Sequence, residues 1–178
     1  MEPTTPSTSL ESQHLLLNKW TYWFDSNKYE SQSRDNLSSL EELYTFSTVE
    51  QFWGLYDGLE KATSFPKGSD CYYMKFGVTP NTTSYEKGGK LRFGVPLAKA
   101  ECIWKNLILM CIGENFENSE FLVGVELSIR SDAKFNIYFN YWDDNFRSLV
   151  SEIKEYVEIS PKTSFKFFPE VGRIIEIN

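Results

Sequence analysis

Arg130, Lys134 and Tyr138 combine residue types and a spacing that could hold a phosphate-bearing ligand: two fixed cations and an aromatic ring on successive strands. Over 122–130, Val123, Val125, Leu127 and Ile129 alternate with Gly124, Glu126, Ser128 and Arg130, the pattern of a half-buried antiparallel strand. Over 134–142, Phe135, Ile137, Phe139 and Tyr141 alternate with Lys134, Asn136, Tyr138 and Asn140. A hairpin joining the two would bring Arg130, Lys134 and Tyr138 to the same polar face.

Other reactive chemistry is sparse. The chain has one histidine, His14, so neither a Ser-His-Asp nor a Cys-His nucleophile system is expected, and a zinc site lacks ligands. Cys71, Cys102 and Cys111 are odd in number and off any framework spacing, which reads as reduced thiols filling core positions in an intracellular protein. Glu86-Lys87-Gly88-Gly89-Lys90 lacks the full glycine and Lys-Ser/Thr spacing of a phosphate loop and reads as a turn. Glu114, Glu117 and Glu120 read as solvated loop charges. A net charge of −7 leaves no basic field for gripping a long nucleic acid, so any nucleotide site must be local. No stretch approaches the roughly 20 apolar residues of a membrane span, so no membrane contact is expected and the cytosol is the expected location. The chemistry left is binding, with no enzyme activity and no cofactor expected.

A second recognition surface is suggested by Ser47-Thr48-Val49-Glu50-Gln51-Phe52-Trp53-Gly54-Leu55-Tyr56. Ser47 with Glu50 makes a capping box. Val49, Phe52, Trp53, Tyr56 and Leu59 then form one broad stripe, more aromatic surface than a short helix can bury on one side. Something is expected to dock there.

These surfaces need a scaffold, and 178 residues with 41% apolar and 16% aromatic content suffice for one domain with a substantial core. Residues 1–13 are Pro-, Ser- and Thr-rich and read as a disordered tail, leaving 14–178 as the domain. Strands are expected over 16–24, 71–76, 90–95, 122–130, 134–142, 163–168 and 173–177, with a polar loop over 25–39. A second helix is expected over 97–112, ending at Gly113, and a third capped by Asp143 and Asp144 carries Phe146, Leu149, Val150, Ile153 and Val157. Trp20, Trp23 and Trp104 are assigned to the core. The fold class is α+β: a single domain with a curved, mostly antiparallel sheet and three helices packed on its convex face, which leaves the concave face polar and free.

The run His14-Leu15-Leu16-Leu17-Asn18-Lys19-Trp20 followed by Trp23-Phe24 resembles the opening strand of the eukaryotic translation initiation factor 4E family. Thr48-Val49-Glu50-Gln51-Phe52-Trp53 is similar to that family's first helix, and Trp104-Lys105-Asn106-Leu107-Ile108-Leu109 with Ile112-Gly113-Glu114 to its second. Gly124-Val125 and Ile129-Arg130 match its hairpin strand. The likeness is ordered and runs from His14 to about Glu170.

The resemblance implies a monomer that binds the 7-methylguanosine 5′ cap of mRNA and recruits an initiation factor 4G-like or 4E-binding-protein helix. In that family the cationic base stacks between two tryptophans, a glutamate accepts from its edge, and basic residues hold the phosphates. Lys90, Arg130 and Lys134 fall at the basic positions, and Tyr138 replaces a tryptophan near the methyl group. Counting from Pro80, the Trp-Glu pair reads Thr82-Thr83, and the nearest aromatic-acid pair is Tyr85-Glu86. The other tryptophan falls at Asn36 when counted back from Trp53, or at Tyr29 as the first aromatic of the loop. The partner groove falls to His14, Val49, Trp53 and Leu109, with Lys105 and Asn106 departing from the usual pair beside it. The alternative is a 4E-like scaffold or translational repressor whose cap slot is weakened or lost, which Thr82-Thr83 supports.

Overall fold

The computed structural model describes residues 13–26, 39–80, 87–142, 147–160, 163–169 and 173–177. The strands are β1 (Leu15–Asp25), β2 (Leu40–Thr48), β3 (Asp70–Lys75), β4 (Gly89–Val95), β5 (Leu122–Ile129), β6 (Ala133–Phe139), β7 (Phe165–Pro169) and β8 (Ile175–Ile177). The helices are α1 (Val49–Gly58), α2 (Leu97–Gly113) and α3 (Arg147–Tyr156). One eight-stranded sheet runs in the order β2-β1-β3-β5-β6-β4-β7-β8, each neighbouring pair antiparallel.

Residue parity decides which face is covered. Trp20 and Tyr22 of β1, Cys71 and Tyr73 of β3, Val125 and Leu127 of β5, and Phe135 and Ile137 of β6 share one buried cluster with Phe52 of α1, Trp104 of α2 and Leu149 of α3. All three helices thus bury their apolar sides on one face of the sheet, as the α+β expectation requires. The α3 stripe is present, with Leu149, Val150, Ile153 and Val157 buried, while its expected caps Asp143 and Asp144, and Phe146, lie outside the described residues. So do the whole of the expected tail except its last residue, and most of the expected 25–39 loop.

Several expectations are corrected. β2 falls where no strand was expected, because it is an edge strand of which only Phe46 and Thr48 are buried, so no alternation shows in its residues. The cap of α1 is Thr48, not Ser47: Gln51 N donates to Thr48 Oγ1 at 3.2 Å, and Ser47 N donates to Gln51 Oε1 at 2.9 Å. That leaves Glu50 for His14. The left-handed residue ending α2 is Glu114, at φ 48°, rather than Gly113. Glu114 is no solvated charge: it is 7% exposed, with Lys75 Nζ at 2.7 Å and Asn18 Nδ2 at 2.9 Å. Cys71 and Cys111 are buried, but Cys102 is exposed. Trp23 is half-buried on the helix-free face, outside the core that holds Trp20 and Trp104. A register shift between Leu122 and Gly124 puts Leu122, not Val123, into the core cluster.

Gly89 opens β4 instead of belonging to a turn. A Cβ there would lie 2.5 Å from the Phe168 carbonyl oxygen and 2.9 Å from Pro169 Cα, backbone that cannot yield locally. Only glycine lets β7 close against β4 at the rung beside Lys90.

Candidate functional site

The helix-free face of the sheet is polar, and its side chains follow directly from register. One rung runs Glu42, Trp23, Tyr72, Glu126, Asn136, Arg92, Lys166, Glu176 across all eight strands. The rung on one side carries Asp25, Asp70, Ser128 and Lys134; the rung on the other carries Thr21, Met74, Gly124, Tyr138, Lys90 and Phe168.

Glu126 lies at the centre. It is 5% exposed and accepts from Asn136 Nδ2 at 2.8 Å, from Ser128 Oγ at 2.7 Å and from the Tyr138 hydroxyl. Asn136 in turn accepts from Arg92 Nε at 2.7 Å, and the Arg92 guanidinium lies 4.8 Å from the Phe168 ring centroid. The polar half of β5 is therefore buried too, and the strand is not half-buried as its alternation suggested: every residue from Leu122 to Ile129 is covered. A buried carboxylate with three donors is a rigid polar centre, not a solvated charge.

Lys90, Lys134 and Tyr138 do share this face. The Lys90 ammonium sits 5.6 Å from the Tyr138 ring centroid, and Lys134 is half-buried two rungs away, roughly 13 Å along β6. Arg130 is committed elsewhere. Its Nη2 lies 2.9 Å from Asp70 Oδ1, and its Nη1 donates to the Ser69 carbonyl at 3.1 Å and the Ile129 carbonyl at 2.8 Å. Tyr29, Tyr85 and Glu86, with Asn36 and Thr82-Thr83, lie outside the described residues.

Arg92, Asn136 and Glu126 were not among the candidates from sequence. The parity of Lys90 and Arg92 against Leu91 and Phe93 was the available signal, since it puts Arg92 on the same face as Lys90. Arg92 lies between the rungs of Lys90 and Lys134, while Lys166, next on β7, is paired with Glu176 at 3.1 Å.

The phenols of Tyr72 and Tyr138 are pushed well above their usual range, first by burial and next by the Glu126 carboxylate. In the unfolded chain such groups ionise near pH 10. Folded, they stay neutral beyond it, so the stability they contribute is complete below about pH 10 and declines as pH rises further. Thermal melts are expected to give a lower Tm at about pH 11 than at about pH 9, with a smaller drop in Tyr138→Phe.

On the opposite side of the molecule, His14 Nδ1 meets Glu50 Oε1 at 2.6 Å, and Val49 N donates to the His14 carbonyl at 2.9 Å, so the start of β1 is pinned to the first turn of α1. The His14 hydrogen bond holds the Glu50 carboxyl down at about 2. Trp53 is half-buried, its ring edge-on to Phe52 at 5.0 Å and to Tyr56 at 5.8 Å. Leu109 of α2 is half-buried as well.

A helix-backed open antiparallel sheet with one polar face defines an α+β domain. Residues 15–174 match the family model described as eukaryotic initiation factor 4E. An isoform 4E from Arachis hypogaea is 38% identical over 175 residues, covering 92% of this chain and 85% of the relative. The chain belongs to the eukaryotic initiation factor 4E family. Initiation factor 4E-3 of Arabidopsis thaliana is 35% identical over 127 residues, and the match spans 70% of this chain but about half, 53%, of that relative's length. Among solved structures, Ascaris suum eIF4E-3 in complex with m7G cap superposes with a TM-score of 0.79 at 26% identity, covering 91% of this chain and 94% of the other. The fold is shared again with Caenorhabditis elegans eIF4E-3 in complex with the 4E-binding protein Mextli and cap analog, at a TM-score of 0.79, 23% identity, and coverage of 88% and 92%.

Proposed function

We propose that this chain, over 14–178, binds the 7-methylguanosine 5′ cap of mRNA on the helix-free face and a 4G-like or 4E-binding-protein helix over α1 and α2. It acts as a monomeric binding protein in the cytoplasm, not as an enzyme. The observation that carries the reading is the placement of Lys90, Arg92 and Lys134 on successive rungs of the polar face that also carries Tyr138. Their span of roughly 13 Å exceeds what one phosphate can bridge and suits a nucleotide with an extended phosphate chain. The Ascaris suum relative's cap complex supports the ligand, and the Mextli complex supports the partner. Base contacts are assigned to Tyr29, Tyr85 and Glu86, phosphate contacts to Lys90 and Lys134, and the helix groove to His14, Val49, Trp53 and Leu109, while Arg130 stays with Asp70 as a structural pair.

Fluorescence titration with a methylated cap analogue is expected to show saturable quenching in the micromolar range or tighter, about −8 kcal/mol. An absence of quenching at high micromolar analogue overturns the cap half. Thr82-Thr83, standing where the family has its Trp-Glu pair, favours one rival, a scaffold without a cap slot. Under it, a cap resin retains nothing while a Trp53-dependent helix pull-down persists.

A further inference from the structure

We propose that the cavity between the C-terminal end of α1 and the first half of α2 is a binding site for a small guanidinium group. It is separate from the cap face and independent of the cap reading. The cavity is about 220 Å³ and is walled by Tyr22, Tyr56, Phe65, Tyr73, Trp104 and Glu101. Cavities of about 150 Å³ accommodate benzene, so a guanidinium on a short alkyl stem fits.

Two buried polar atoms line it without a hydrogen-bond partner among the described residues: the hydroxyl of Tyr73, which is 1% exposed, and Glu101 Oε2. Glu101 Oε1 receives only a long bond from the Tyr56 hydroxyl at 3.4 Å. Buried polar groups are nearly always satisfied, so a carboxylate oxygen held this way calls for a donor. Burial and the Glu101 carboxylate push the Tyr56 phenol up to about 12, which keeps it a neutral hydroxyl at physiological pH.

The charge around the cavity selects the sign. Asp57, Glu60 and Lys61 line it as well, so with Glu101 three carboxylates face one ammonium. Lys61 is exposed and makes no ion pair or ring contact among the described residues, so it does not fill the role itself. Guanidinium matches the wall best. It is planar, weakly hydrated, stacks on aromatic faces and offers paired N–H donors to a carboxylate, whereas a primary ammonium is a strongly hydrated point charge.

The probe is n-butylguanidine added to the full chain, read by calorimetry and by the Trp104 indole resonance. One-site saturable binding on the order of 1 mM is expected for a ligand of this size. Pentan-1-ol, its neutral counterpart, should bind at least about tenfold more weakly, and so should the guanidine to Glu101→Gln. Lys61→Ala, at an exposed position that leaves folding intact, should tighten binding about two- to fivefold. Saturating cap analogue should not change the affinity. Blocked arginine amide binding better than free arginine would identify a protein side chain as the source, and the reverse a free metabolite. The proposal is overturned by no binding at about 20 mM, the outcome for a water-filled cavity. Equal binding of pentan-1-ol, or an affinity indifferent to both Glu101→Gln and Lys61→Ala, overturns it as well.

Discussion

Trp53→Ala is expected to weaken binding of a 4G-like helical peptide by at least about 30-fold, roughly 2 kcal/mol, while the protein stays folded. The ring is only half-buried. Phe52 below it is 1% exposed and meets Tyr73 and Phe46 at 6.2 and 5.7 Å, so Phe52 is what fixes α1 to the sheet. Trp53 is held edge-on by Phe52 and Tyr56, which orients its outer surface without covering it. An oriented, part-exposed indole is well suited to anchor an apolar helix face, because little side-chain entropy is left to lose on binding. Calorimetric titration with the peptide checks the affinity, and thermal melting checks the fold. Phe52→Ala sets the contrast: a cost of about 3–5 kcal/mol to stability, with binding lost through unfolding. Unchanged peptide affinity in folded Trp53→Ala would remove Trp53 from the interface and leave its ring a packing element only.

The two faces were not equally legible in the sequence. Where one side of a strand is apolar, period-2 alternation gave both the strand and its apolar face, as in β5 and β6, and helical periodicity gave α2 and α3. β2 carried no such pattern because Leu43 and Tyr44 remain 49% and 43% exposed at the sheet edge, while Glu41 and Glu42 are exposed beside them. Alternation also cannot tell a solvated polar face from a buried polar network. Glu126 read as an outward charge, yet besides Ser128 on its own strand it is enclosed by Asn136 and Tyr138, which reach it only after β6 pairs with β5. Arg92 was missed for the same reason, since its importance comes from Asn136 on the neighbouring strand. Glu114 shows the limit for loops: its partners, Lys75 and Asn18, lie on β3 and β1 and leave no trace in the local sequence.

Arg130 and Lys134 form the hairpin pair that first suggested a phosphate site, and their alanine variants are expected to fail in different ways. Arg130→Ala should lose about 3 kcal/mol of stability or more. The Asp70 side chain is 0% exposed and that of Arg130 17%, so removing the guanidinium leaves a carboxylate with no route to water. Asp25, itself 4% exposed, sits directly opposite Asp70 on β1, so the loss of Arg130 also leaves two buried carboxylates facing each other. Ser39 Oγ donates to Asp25 at 2.7 Å. Combining Arg130→Ala with Asp70→Asn should recover a substantial part of the loss, since the buried charge that Arg130 faced goes with the substitution. Lys134→Ala has no such burden: it has no ion pair among the described residues, and its removal should change stability by less than about 0.5 kcal/mol. Its effect should appear in ligand affinity alone, as about a tenfold weaker hold on a triphosphate cap analogue, larger at low salt than at high. Denaturant melts of the three variants, followed by cap titration of whatever remains folded, separate the two roles. If Arg130→Ala melts like the parent, the Asp70 carboxylate is not the buried charge its geometry describes. If instead the cap affinity of Lys134→Ala is unchanged across salt concentrations, the phosphate chain does not run over β6.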